Sequence, residues 1–231
     1  MAFILAATGS AVGLGNIWRF SYMVGDSGGA AFVLVYLACV ALVGLPILVA
    51  EWLIGRRGQE NPINSMLDLA RQSGRLPAWA LVGASGVLAA FLILSFYGVI
   101  GGWSLSYTLS SVTGAFSGQD ADAIGALFGG LLGSPVTMTL WHTAFMALVI
   151  FIVARGVTKG LEGAVRTMMP ALVVLMLVLV GYGMTTGHFG EALAFMFRPD
   201  WSAVTGGVVL AAMGQAFFTL SLGMGIMMAY G

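Results

Sequence analysis

Apolar residues in this chain come in blocks rather than in alternation. Six stretches, at about 1–24, 30–54, 79–112, 135–154, 164–186 and 203–231, reach the roughly 20 residues that a helix needs to cross the hydrocarbon core of a bilayer. The strands of a membrane barrel would instead alternate polarity over about ten residues. With 59% hydrophobic and 8% charged residues, against roughly 25% charged in a soluble domain, the chain cannot clothe a soluble globule. The expected class is therefore all-α and transmembrane, with the lipid bilayer as a partner. Nine basic residues balance nine acidic ones, which removes the electrostatic basis for binding nucleic acid. A single cysteine, Cys39, rules out an internal disulfide framework.

The charges sort by connector. Arg56, Arg57, Arg71 and Arg75 follow the second stretch, and Arg155, Lys159 and Arg166 fall between or at the edge of the fourth and fifth. The alternate connectors carry Asp26, then Asp120 and Asp122, then Glu191, Arg198 and Asp200. By the positive-inside rule the basic connectors and the amino terminus are cytoplasmic, as expected for a multi-pass protein of the cell membrane. The third stretch exceeds 30 residues and should tilt or protrude. In the first basic connector, Ile63, Met66, Leu67 and Ala70 recur at helical spacing beside Asp68 and Arg71. Two readings stay open there: a surface amphipathic helix or a solvated connector. The connectors after the third and fifth stretches read as ordinary loops, and Pro46 and Pro170 as helix kinks.

Two stretches carry their own breakers. The first contains Thr8-Gly9-Ser10-Ala11-Val12-Gly13-Leu14-Gly15-Asn16; the sixth runs Gln215-Ala216-Phe217-Phe218-Thr219-Leu220-Ser221-Leu222-Gly223-Met224-Gly225. Each helical glycine costs roughly 1 kcal/mol relative to alanine. Unwound backbone at membrane depth survives only where it is buried in protein or lines a cavity. A broken helix exposes carbonyls that suit a dehydrated cation and N–H groups that suit a carboxylate. Gly9-xxx-Gly13 alone would equally fit close helix packing, and no Gly-x-Gly-x-x-Gly follows a strand. Two such motifs, in spans five apart, instead point to the midplane site of a transporter built from two inverted five-helix repeats.

These residues resemble the neurotransmitter:sodium symporter family, in its bacterial amino-acid transporter branch. The matching segments are GSAVGLGNIWRF (9–20), the Glu51, Trp52, Gly55, Arg56 pattern, GVTKGLEG (156–163), FRPDWS (197–202) and GQAFFTLSLGMG (214–225). Members have about twelve spans, so the resemblance implies that this chain supplies the first six and is a fragment. It also implies a first sodium site from the Ala11 carbonyl, Asn16 and Thr219, and a second that includes the Gly9 and Val12 carbonyls. Hard cations do prefer such oxygen donors. By the same resemblance the substrate carboxylate meets the Leu14 and Gly15 N–H groups and the Tyr97 hydroxyl. The ammonium meets carbonyls of Ala11, Phe218 and Thr219, with Ser221 nearby. Ile93, Tyr97, Phe218, Ser221 and Met224 surround the side chain. Arg19, Tyr97 and Phe218 resemble an outer gate, and Glu51 a residue that braces the broken helices. Tyr36, Gln215 and Thr219 match positions around the family's chloride site, leaving chloride use open.

Gly13 stands where monoamine carriers have an aspartate. That favours a zwitterionic amino acid, which brings its own carboxylate, and Met224 suits a hydrophobic or aromatic side chain. The expected function is thus sodium-coupled amino-acid symport by alternating access. The alternative is a channel or receptor-like protein that binds ions without coupled transport. A homodimer remains open. His142 and His188 stand alone, without a second metal ligand at suitable spacing. No Ser–His, paired-Asp or His–Glu metal constellation lies in the spans, so an enzyme is not expected.

Overall fold

The computed structural model describes residues 12–156, 160 and 163–231. Among these every regular element is helical: α1 (Phe20–Asp26), α2 (Ala30–Cys39), α3 (Leu45–Gly58), α4 (Pro62–Gln72), α5 (Ala80–Val112), α6 (Ala121–Leu132), α7 (Pro135–Val153), α8 (Gly163–Thr185), α9 (Phe189–Phe197), α10 (Gly206–Thr219) and α11 (Ile226–Tyr230). Among the described residues four helical stretches, Ala30–Gly58, Pro77–Val112, Pro135–Val153 and Gly163–Thr185, are long and apolar enough to cross a membrane. No residue of α7 or α8 is buried. Apolar side chains left bare over whole helices are at home in lipid rather than in water.

Two compact units divide the chain, one from residues 1–89 and 162–231, the other from residues 90–161. In the first unit the core gathers Val24, Phe32 and Ala212 from α1, α2 and α10, with Phe20, Met23, Val33, Val35, Tyr36 and Val208 packed against them. Phe20 lies 4.8 Å from the Tyr36 ring and 6.0 Å from the Phe32 ring. The tight link from α1 to α2 depends on Gly28 and Gly29, both with positive φ. A Cβ at Gly29 would come within 2.7 Å of the Phe195 carbonyl.

Among the described residues, π-helical turns interrupt the regular ladder at Gly15–Arg19 ahead of α1 and at Val40–Gly44 between α2 and α3. The second comes just before Pro46, which sits in the first turn of α3. A proline's missing N–H is tolerated there, at the start of a helical segment. Pro170 lies inside α8, which continues through it.

The first basic connector takes the helical alternative. Asn61 caps α4 by accepting from the Asn64 N–H at 3.0 Å, Pro62 opens the helix, and Ser65 and Ala70 are buried. The connectors expected to be ordinary loops are more ordered than that. One contains α6, started by the Asp120 carboxylate accepting from the Ala123 N–H at 2.8 Å; the other contains α9. Glycines at 125, 129 and 130 dilute the apolar pattern of α6, but the side-chain cap and the apolar residues around them suffice for three turns.

Candidate functional site

The sixth apolar stretch breaks where its glycines are. Helix α10 ends at Thr219, and the chain turns through Ser221 (φ 54°), Gly223 (φ 76°) and Gly225 (φ 71°) before α11 begins. Such left-handed backbone suits glycine, whereas for a residue with a Cβ it costs roughly 1–2 kcal/mol. A break of this kind strands backbone N–H groups, and burial makes an unpaired one costly. Glu51 supplies one partner: its Oε1 accepts from the Gly223 N–H at 2.6 Å, from a side chain only 5% exposed. The expected bracing of the break by Glu51 thus has a geometric basis.

The rest of the Glu51, Trp52, Gly55, Arg56 segment seats α11. A Cβ at Gly55 would run into the Met228 carbonyl, so glycine is what lets the α11 backbone lie directly on α3. The Arg56 guanidinium sits 5.6 Å over the Trp52 ring. Pro62, at the start of α4, lies where a Cβ on Gly225 would be 2.6 Å from its Cγ, and its carbonyl would be 2.5 Å from a Cβ on Gly83. Gly86 faces the Gly223 carbonyl just as closely, at 2.6 Å from a Cβ. Sequence reasoning missed this glycine-lined seat. Its one signal was the surplus of glycines near the start of the third apolar stretch, which periodicity cannot assign to a partner.

In the first stretch, Val12 and Gly13 are not helical, and helical backbone starts at Leu14. The Gly13 carbonyl accepts from the N–H groups of Asn16 at 3.0 Å and Ile17 at 3.3 Å. Thr8, Gly9, Ser10 and Ala11 lie outside the described residues, and with them the Gly9 and Ala11 contributions to the expected sodium sites.

Gln215 ties the two broken stretches together. Fully buried, it donates through Nε2 to the Gly15 carbonyl at 2.9 Å and to the Thr219 hydroxyl at 3.4 Å. A carbonyl can only accept, which fixes the nitrogen of this amide towards Gly15. Thr219 in turn donates to Asn16 Oδ1 at 3.2 Å. Two expected first-site sodium ligands, Asn16 and Thr219, are therefore brought side by side, each presenting a side-chain oxygen to the other. The oxygen character fits a hard cation. Among the described residues Gln215 Oε1 and Glu51 Oε2 are buried without a hydrogen-bond partner.

Of the other expected residues, Arg19 and Phe218 meet, with the guanidinium 5.4 Å from the ring centroid. Ser221 is buried, while Leu14 and Met224 are half-buried beside the two breaks. Tyr36 belongs to the α1–α2 aromatic packing. Ile93 and Tyr97 lie on the portion of α5 that belongs to the second unit, where Tyr97 meets Phe96 edge-on at 5.6 Å. No group of three or more His, Cys, Asp or Glu side chains gathers among the described residues as a metal site.

The family model for the sodium:neurotransmitter symporter family matches residues 1–123 and 131–231. An uncharacterized sodium-dependent transporter of Bacillus subtilis, YhdH, is 43% identical over 230 residues, covering 100% of this chain and 50% of that protein. A Haemophilus influenzae sodium-dependent transporter is 33% identical, over 98% of this chain and 51% of its own length. The crystal structure of MhsT in complex with L-phenylalanine superposes with a TM-score of 0.89 at 51% identity, over 99% of this chain and 51% of MhsT. The chain spans about half the length of these relatives, which are transporters and not enzymes. It is a membrane protein of the sodium:neurotransmitter symporter family.

Proposed function

We propose that this chain works within a sodium-coupled symporter that takes up a neutral amino acid with a hydrophobic or aromatic side chain by alternating access. The observation that carries the reading is the pairing of Asn16 Oδ1 with the Thr219 hydroxyl at 3.2 Å, where the non-helical Gly13 and the broken end of α10 come together. Oxygens at that point suit sodium. The N–H groups at the start of the Leu14 half-helix suit a carboxylate, and Gly13 leaves room for one. The L-phenylalanine held by MhsT supports an aromatic substrate. Leu14, Gly15, Phe218, Thr219, Ser221 and Met224 are proposed as substrate contacts, Ile93 and Tyr97 joining them on the family resemblance alone. The cell membrane, with a cytoplasmic amino terminus, is the proposed location.

Each sodium ion entering down a tenfold gradient and 100 mV supplies about 3.7 kcal/mol, enough for roughly 500-fold accumulation. A channel or receptor cannot concentrate its ligand. The test is uptake of radiolabelled L-phenylalanine, L-tryptophan and L-leucine into liposomes holding the full-length protein. Uphill accumulation that collapses when sodium is replaced by potassium is expected. Equilibration without accumulation, or uptake indifferent to sodium, refutes symport.

A further inference from the structure

We propose that Gly86 is a positioning residue that sets amino-acid selectivity from behind the substrate site, by fixing where the backbone carries Met224. The proposal rests on the reading of Met224 as a substrate contact. Met224 stands between two glycines with left-handed backbone, Gly223 (φ 76°) and Gly225 (φ 71°). Such a stretch has no stiffness of its own, since glycine has the widest choice of torsions. Its neighbours within the first unit hold it instead. Glu51 Oε1 on α3 accepts from the Gly223 N–H at 2.6 Å. A Cβ on Gly225 would lie 2.6 Å from Pro62 Cγ, at the start of α4. The third neighbour is Gly86, buried on the part of α5 that belongs to the first unit. A Cβ there would come 2.6 Å from the Gly223 carbonyl oxygen and 3.4 Å from the Met224 carbonyl carbon.

This approach is made by backbone to backbone, so no change of rotamer can relieve it. An ordinary carbon–oxygen contact needs about 3.3 Å, so a methyl group at position 86 displaces the Gly223 carbonyl by roughly 0.7 Å. Glu51 and Pro62 keep the segment from retreating as a body, and the peptide between Gly223 and Met224 must turn. That peptide carries the Met224 Cα. A Met224 side chain moved inward collides with the largest substrate. One moved outward opens a gap beneath it, and a gap of about 0.5–1 Å already forfeits roughly a quarter to a half of a van der Waals contact. In both directions a bulky aromatic substrate loses more than a short aliphatic one, which does not fill the same space. Selectivity is thus set in part by a residue that offers the substrate no side chain.

The experiment measures sodium-driven uptake of L-tryptophan and L-leucine, or of the largest and smallest amino acids that the parent accumulates, by the reconstituted full-length protein. The readout is the ratio of their kcat/KM values. In Gly86→Ala the ratio of large to small is expected to fall about 5-fold, somewhat less than the roughly 10-fold that a whole methylene is worth in an apolar pocket. In a Met224→Ala background the same substitution should change the ratio by less than about 2-fold, because the side chain through which it acts is gone. Gly58→Ala is the control for overpacking alone: a Cβ there would run into Ser65 of α4 instead of the break. It should lower the midpoint of thermal unfolding and keep the ratio. An unchanged ratio in Gly86→Ala, an equal fall in Gly58→Ala, or a full effect without the Met224 side chain overturns the proposal and leaves sodium-coupled uptake standing. If Gly86→Ala does not fold, it is combined with Pro62→Ala, which frees the Gly225 side, and read against Pro62→Ala alone, where the ratio should again fall. Failure of the combined variant to fold, or an equal ratio, means that the glycine serves folding only and refutes the proposal. A parent that accumulates no amino acid overturns the symport reading and this proposal with it.

Discussion

Thr219→Val replaces a hydroxyl by a methyl at nearly constant volume, so it tests chemistry more than packing. The hydroxyl links Asn16 Oδ1 at 3.2 Å to Gln215 Nε2 at 3.4 Å. Both distances are long for their bond types, so each bond stands at the weak end of the usual range, about 0.5 kcal/mol. The expected loss of fold stability is therefore about 1 kcal/mol. A dehydrated sodium ion that loses one oxygen ligand should lose more, about 1.5–3 kcal/mol by analogy with hydrogen bonds to charged groups. That corresponds to a rise in sodium half-saturation of at least about tenfold. Thr219→Ser, which keeps the oxygen, should stay within about threefold of the parent. The assay is amino-acid binding to the purified full-length protein as a function of sodium, paired with thermal unfolding. Refutation would be a Thr219→Val protein that unfolds earlier by the expected increment yet binds sodium as the parent does. The hydroxyl would then be only a strut between the two broken stretches.

Three further outcomes follow from the geometry. Gly13→Asp should abolish amino-acid binding, because a second carboxylate would crowd and repel that of the substrate; retained affinity in a binding titration contradicts the assignment. Gly55→Ala forces α11 off α3 and should destabilise the protein by about 1–3 kcal/mol, as overpacking does, read as a lower midpoint in thermal unfolding. The Asp200 carboxyl, in the connector before α10, is held below the ordinary carboxylate range by the Ser202 hydroxyl at 2.6 Å and the Ser202 N–H at 3.0 Å. A lowered value favours the folded state above the unfolded-chain value and loses that contribution as pH falls through the folded one. In Ser202→Ala, carboxyl NMR should show Asp200 titrating at higher pH, and an unmoved titration would deny the hydroxyl its part.

Much of this was legible because broken helices advertise themselves. Glycine pairs beside hydroxyls and amides marked both breaks, and the quoted motifs placed Asn16, Thr219 and Arg19 around them. The seat of α11 was not legible. Gly55, Gly83, Gly86 and Gly225 matter through backbone contacts with residues distant in sequence, and a missing side chain names no partner. The π-helical turns at Gly15–Arg19 and Val40–Gly44 were hidden for a related reason, since one extra residue in a turn leaves composition unchanged. Helix α6 was hidden by its glycines, although Asp120 at its start was a usable cap signal.

Ser221 holds a left-handed backbone two residues before a glycine that adopts one freely. Glycine at 221 would relax that torsion, and by this measure Ser221→Gly should make the chain more stable rather than less. The turn therefore keeps a side chain against the preference of its own backbone. On the proposed role of Ser221 as a substrate contact, position 221 is a place where stability and affinity can be traded against each other, with the hydroxyl on one side of the exchange and conformational ease on the other. Selection for heat resistance alone would be drawn to this position, and on that proposed role the variant it favoured would hold its fold longer while gripping its solute less well.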